Sequence, residues 1–121
     1  MQNLEQIRAA AALKVAEKTT KSDVNKLPAM IITNGFLAAT AFATEESTGN
    51  GYKRQAMAEV MNGTALHLAN PIHGLTVLKT INDARSMTRA LSENASSVDL
   101  QRATAEALAF IGYVKRFAKK D

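Results

Sequence analysis

Cysteine is missing from the sequence altogether, and so is tryptophan. The first absence removes disulfides, thiolate metal sites and cysteine nucleophiles together, and it fits a reducing, cytoplasmic setting. The second, with only two tyrosines and four phenylalanines, leaves no material for a row of base-stacking aromatics. If the chain binds nucleic acid, it does so mainly through phosphates. Apolar runs are short as well. A long stretch free of charge, Leu27 to Ala43, contains Pro28, Thr33, Asn34 and Gly35 and is brief for a membrane span, so a buried core helix is expected there and no membrane partner. Met1 to Glu5 carry neither a basic n-region nor an apolar h-region, so no signal peptide is read.

Strand patterns are missing too. β-Branched residues do not cluster in alternation, and Asn34-Gly35 is flanked by continuous apolar runs rather than alternating ones. The chemistry of catalysis is equally thin. No Gly-x-Ser-x-Gly, no phosphate-cradling glycine-rich loop and no dinucleotide fingerprint occurs. Glu45 and Glu46 are adjacent, and adjacent helical residues point apart, which makes a poor acid–base dyad. His67 and His73 stand six apart across Pro71, which is not the spacing of a helical ligand pair, and nothing acidic lies nearby. They read as surface or core histidines. The expectation is a protein with no catalytic residue, no metal and no cofactor, and not an enzyme.

What remains is helix and positive charge. With 121 residues, 46% of them hydrophobic and 21% charged, the chain is expected to fold as one domain over residues 1–121. Fifteen Lys and Arg against eleven Asp and Glu give a net +4, which favours polyanionic partners. The cations are not spread evenly. Lys115, Arg116, Lys119 and Lys120 crowd the last seven residues, and Lys14, Lys18, Lys21 and Lys26 form a second run.

The pattern predicts an all-α, antiparallel bundle of about five helices. The first is expected over Asn3 to Thr19, with Asn3 as N-cap and Leu4, Ile7, Ala11 and Val15 as its buried stripe. Lys14, Lys18 and Lys21 would run beside that stripe as a cationic ridge. A second, central helix is expected to follow Pro28 and to continue through Gly35, where a close helix crossing would account for the glycine and would bury Asn34. Glu45 to Gly51 reads as a loop. A third helix over Tyr52 to Leu68 would turn Met57, Met61, Ala65 and Leu68 inward and end at Asn70-Pro71. A fourth helical region over Leu75 to Leu91 is expected to break at Asn82-Asp83. The last helix, Val98 to Lys119, carries Leu100, Ala103, Ala107, Phe110, Val114 and Phe117 on one face, with Arg102, Glu106, Arg116 and Lys120 opposite. Periodicity and charge alone stop at a basic helical bundle that binds nucleic acid or helical partners, a helix-turn-helix regulator and a plain adaptor among the possibilities.

Resemblance carries the reading further. The run from Lys26 to Ala39, KLPAMIITNGFLAA, closing on Ala41-Phe42-Ala43, resembles the central signature of the small subunit of Cmr-type (type III-B) CRISPR RNA-silencing complexes. Arg102 to Phe110, RATAEALAF, followed by Tyr113-Val114-Lys115-Arg116-Phe117-Ala118, is similar to that family's closing motif. The opening Leu4 to Ala9 and Ala16 to Lys18 also fit, and residues 47–97 match only as generic helices. Relatives often carry Trp where this chain has Tyr113, a change of packing. The resemblance implies a non-catalytic ribonucleoprotein role. Guide RNA lies along a filament of backbone subunits, copies of the small subunit form a shorter filament beside it, and target RNA pairs with the guide between them. Cleavage belongs to the backbone subunits and nucleotide signalling to the large subunit. Base pairing then supplies sequence specificity, and flanking protein needs only shape and positive charge. Arg8, Lys18, Lys26, Arg102, Lys115 and Arg116 lie within or beside the matched motifs. Lys14, Lys21, Lys53, Arg54 and Lys120 join them as candidate phosphate contacts by charge and placement.

Overall fold

The structure is a computed structural model that describes residues 2–121. The first helix, α1, spans Leu4–Ala16 and opens on Asn3 as expected. Asn3 Oδ1 accepts from the Gln6 backbone N–H at 2.9 Å, and Gln6 Oε1 accepts from the Asn3 N–H at 2.8 Å. This reciprocal box satisfies two of the N–H groups that every helix start leaves unpaired. The helix stops three residues sooner than the pattern predicts. The Lys18 and Thr19 N–H groups donate to Val15 and Ala16 carbonyls at 3.0 and 3.3 Å, a tightening that ends the α-turn. Ala12, Val15 and Ala16 are buried, whereas Leu4, placed in the stripe by its spacing, is 38% exposed.

The central apolar run departs most from expectation. Helix α2, Lys21–Asn34, begins ahead of Pro28 and holds it inside. Proline lacks an N–H, so the Val24 carbonyl loses its helical donor there. Gly35 then separates α2 from α3, Phe36–Ala43. At φ 96° and ψ 156° it lies in a region that is essentially glycine's alone. A Cβ at Gly35 would meet nothing within 4 Å, so the residue is needed for its dihedral angles and not for a close crossing. The all-buried helix is likewise corrected. Asn34 is exposed and Ile32 is 74% exposed, because the break re-aims the chain and leaves one flank of α2 uncovered. The close crossing lies elsewhere. Helix α4, Gln55–Leu68, carries Gly63 against α1, where an added Cβ would overlap the Val15 side chain.

Between α3 and α4 the loop is held by pairing of Glu46 with Tyr52 and by the Ser47 N–H donating to the Gly51 carbonyl at 3.1 Å. Beyond α4, the expected fourth helical region is helical only after Asp83, and its first part, Leu75 to Asp83, holds a single 3-10 turn. Two single-turn 3-10 helices, Pro71–His73 and Thr76–Leu78, precede α5, Ala84–Glu93. The break falls where Asn82-Asp83 placed it. Asp83 caps α5, accepting from the Ser86 N–H at 2.8 Å. Helix α6, Ser97–Phe117, starts one residue before the predicted Val98 and ends two before Lys119. Among the described residues six α-helices therefore build the all-α bundle, and the extended pairings are isolated bridges, Thr20 with Lys119 and Glu46 with Tyr52.

Helix α6 is the hub. It packs against α1, α2 and α4, while α3 and α5 close the far side of α4. Phe110, Ile111 and Val114 of α6 meet Leu27, Met61, Leu68, Leu78 and Met87 in one continuous buried cluster. Met57, Met61, Ala65 and Leu68 all point inward, as their spacing predicts.

Candidate nucleic-acid interface

Three groups of cations stand out. One gathers where α2 begins and α6 ends. Lys21, Lys115 and Arg116 line a shallow hollow of about 610 Å³ together with Asn25, Pro28, Ile32, Leu108 and Gly112. The C-terminal tail is strapped across this end. The Lys21 N–H donates to the Lys119 carbonyl at 3.0 Å, and the Ser22 N–H donates to Asp121 Oδ1 at 3.1 Å. The Ser22 hydroxyl also bonds the Asp121 carboxylate, and these donors hold that carboxyl below its ordinary range. Lys21 Nζ donates to the Lys115 and Arg116 carbonyls at 2.8 and 3.2 Å. A cation there satisfies orphan carbonyls at the helix end and suits its dipole. Lys120 lies exposed in the same tail.

This geometry corrects the cationic ridge. Lys14 sits on α1, Lys18 in the turn after it, and Lys21 opens α2, so the three do not share one helix face. Lys18 faces Glu59 at 3.7 Å. Lys14 borders a different hollow, with Ile7, Gly63, Leu66 and His67. Lys26 and Lys53 stand exposed, and among the described residues neither forms an ion pair, nor do Lys14, Lys21, Lys115, Arg116 or Lys120.

The second group is tied to neighbouring acids or carbonyls. Arg54 pairs with Glu45 at 2.6 Å, donates to the Phe42 carbonyl at 3.1 Å and stacks over the Phe42 ring at 3.7 Å. Its hydrogen bond is the main reason the Glu45 carboxyl lies below its usual range. Arg102 donates to the His73 carbonyl at 2.7 Å and lies 3.6 Å from Asp99.

The third group is internal. Arg8 makes a two-pronged pair with Glu106, Nε to Oε2 and Nη2 to Oε1, each at 2.8 Å. Its guanidinium also lies 5.7 Å from the Tyr113 ring centroid. The Arg8 and Glu106 side chains are only 17% and 12% exposed, so Glu106 faces inward, not the solvent side its periodicity assigns. His67 joins the cluster, its Nε2 at 2.8 Å from Glu106 Oε2. The ring stacks on Phe110 at 4.7 Å and meets His73 edge-on at 4.4 Å.

Burial pushes Glu106 up, but hydrogen bonds from Arg8 and His67 outweigh it and the carboxyl lies below its usual range. Burial pushes His67 below the ordinary imidazole value against the pull of Glu106, and His73 is lowered by burial and by the neighbouring charges of His67 and Arg8. Both rings are therefore neutral near neutral pH, and His67 donates its Nε2–H to the carboxylate. Linear spacing could not announce this cluster. The turn after Asn70 folds His73 back over His67, and Glu106 arrives from another helix.

A basic-ended helical bundle with internal ion pairs is the class that this fold and surface define. Over residues 2–120 the chain matches the family described as CRISPR-associated protein (Cas_Cmr5), and it belongs to that family, the small subunits of the Cmr complex in type III-B CRISPR systems. No curated protein and no solved structure matches it. Membership makes the chain a structural small subunit that works alongside other Cmr subunits. Among the described residues no helix is long and apolar enough to cross a membrane.

Proposed function

We propose that this chain is a non-catalytic, cytoplasmic subunit that forms a short filament beside the backbone subunits and flanks target RNA paired to guide RNA. The observation that carries this reading is the basic end of the bundle. Lys21, Lys115 and Arg116 border one hollow, Lys120 lies exposed in the C-terminal tail, and none of them is neutralised by an acid among the described residues. Lys26 and Lys53 add exposed charge. Arg8, Arg54, Arg102 and Lys18 serve mainly the protein's own acids and carbonyls and contribute less, and Lys21 is partly engaged in the same way by the Lys115 and Arg116 carbonyls.

An exposed lysine–phosphate contact is weak, because screening acts over about 8 Å at physiological salt. Copies repeated along a filament make the sum large through effective concentration. The test is a reconstituted Cmr complex carrying Lys115→Glu and Arg116→Glu in the small subunit. Target-RNA affinity should fall, and the slope of log affinity against log salt should flatten by about one for each phosphate no longer neutralised. Normal assembly with unchanged affinity and slope would overturn the RNA role and leave a helical adaptor.

A further inference from the structure

We propose that His67 and His73 form a binding site for a divalent transition-metal ion of the zinc class, positioned by Glu106. One ring nitrogen of each histidine and a Glu106 oxygen all lie within 4.8 Å of one another. The two atoms left without a partner in this cluster are His67 Nδ1 and His73 Nε2, both buried. Buried ring nitrogens ordinarily find a partner, and orphaned ones call for an explanation.

The remaining contacts fit the same assignment. His67 donates Nε2–H to Glu106, which leaves the Nδ1 lone pair as the free one. A carboxylate that holds the far N–H of a metal-bound histidine fixes its tautomer and raises its basicity. Arg8 occupies both Glu106 oxygens, which makes Glu106 a positioning residue and not a ligand. His73 is held from the other side, since Arg102 clamps its carbonyl and Asn70 caps the turn that carries it. Two protein nitrogens leave further coordination positions to water, so binding is weaker than at a closed four-ligand site. The chain has no cysteine and no other histidine, so a competing site of similar strength has no ligands to draw on.

The experiment uses the untagged full-length chain and Zn²⁺ alone. Isothermal titration should show one ion per chain, and His73→Ala should weaken binding at least tenfold with unchanged far-UV circular dichroism. Histidine side-chain ¹⁵N spectra should place the metal-induced shifts on His67 Nδ1 and His73 Nε2. Absence of binding, equal binding by His73→Ala, or shifts on the other ring nitrogens would each overturn the proposal. His73 is only partly buried, and His67→Gln, which retains a polar side chain, provides a second variant with the same expected loss.

Discussion

At the scale of single residues, the Arg8–Glu106 pair is the most consequential contact. Two charges at the edge of the core contribute little net stability over an apolar pair, yet removing one strands the other. Arg8→Ala should therefore destabilise the protein by about 3 kcal/mol, the lower end for breaking a buried pair, because both side chains keep some exposure. Adding Glu106→Gln to Arg8→Ala should recover part of that loss, and denaturant unfolding of the two singles and the double measures the coupling. Asp83 offers a pH readout. Its carboxyl is held below the ordinary range by hydrogen bonds from Ser86. A depressed folded-state value stabilises above the unfolded pKa and is lost as pH falls through the folded one. Asp83→Ala should cost about 1 kcal/mol at neutral pH, and the gap to the parent should shrink as acidification carries the pH below the ordinary carboxylate range. Thermal unfolding at several pH values checks the sign.

At the scale of elements, the α2–α3 break is decided by one residue. Gly35 both ends α2, its N–H donating to the Ile31 carbonyl at 2.8 Å, and starts α3, its carbonyl accepting from Ala39 at 3.0 Å. A side chain has space there but not the backbone angles, so Gly35→Ala should cost about 1–3 kcal/mol without a steric clash. Equilibrium unfolding gives the cost. A much smaller effect would mean that the two helices fuse. Two helix starts were legible in the sequence: Asn3 and Asp83 each accept a backbone N–H from three residues on. This is local chemistry, and local chemistry can be read along a chain. The continuity of Leu27 to Ala43 could not be read, because an apolar run states that residues are buried and not along which axis. Pro28 misled for a related reason. Proline is best tolerated in a first turn, and here tertiary packing holds it mid-helix.

At the scale of the whole molecule, charge distribution is the link to function. The isolated chain should bind single-stranded RNA weakly and lose that binding with added salt, whereas the assembled complex should bind target RNA tightly with little base preference from this subunit. Fluorescence anisotropy across a salt series, for the subunit and for the complex, measures both. Tight, sequence-selective binding by the lone subunit would contradict a phosphate-only interface.

The sequence by itself determined the helical class, the inward face of α4, the capped starts at Asn3 and Asp83 and membership of the family. Each depends on spacing within one element or on a run of adjacent residues. Only the tertiary structure decided which charges remain free. Arg8 and Arg116 look alike in the sequence, yet one is clasped by Glu106 across 98 positions and the other stands exposed at a basic end. The same folding brought His67, His73 and Glu106 together from a helix, a turn and a distant helix. Pairing of charges and convergence of ligands depend on distances in space, and periodicity along a chain encodes only faces.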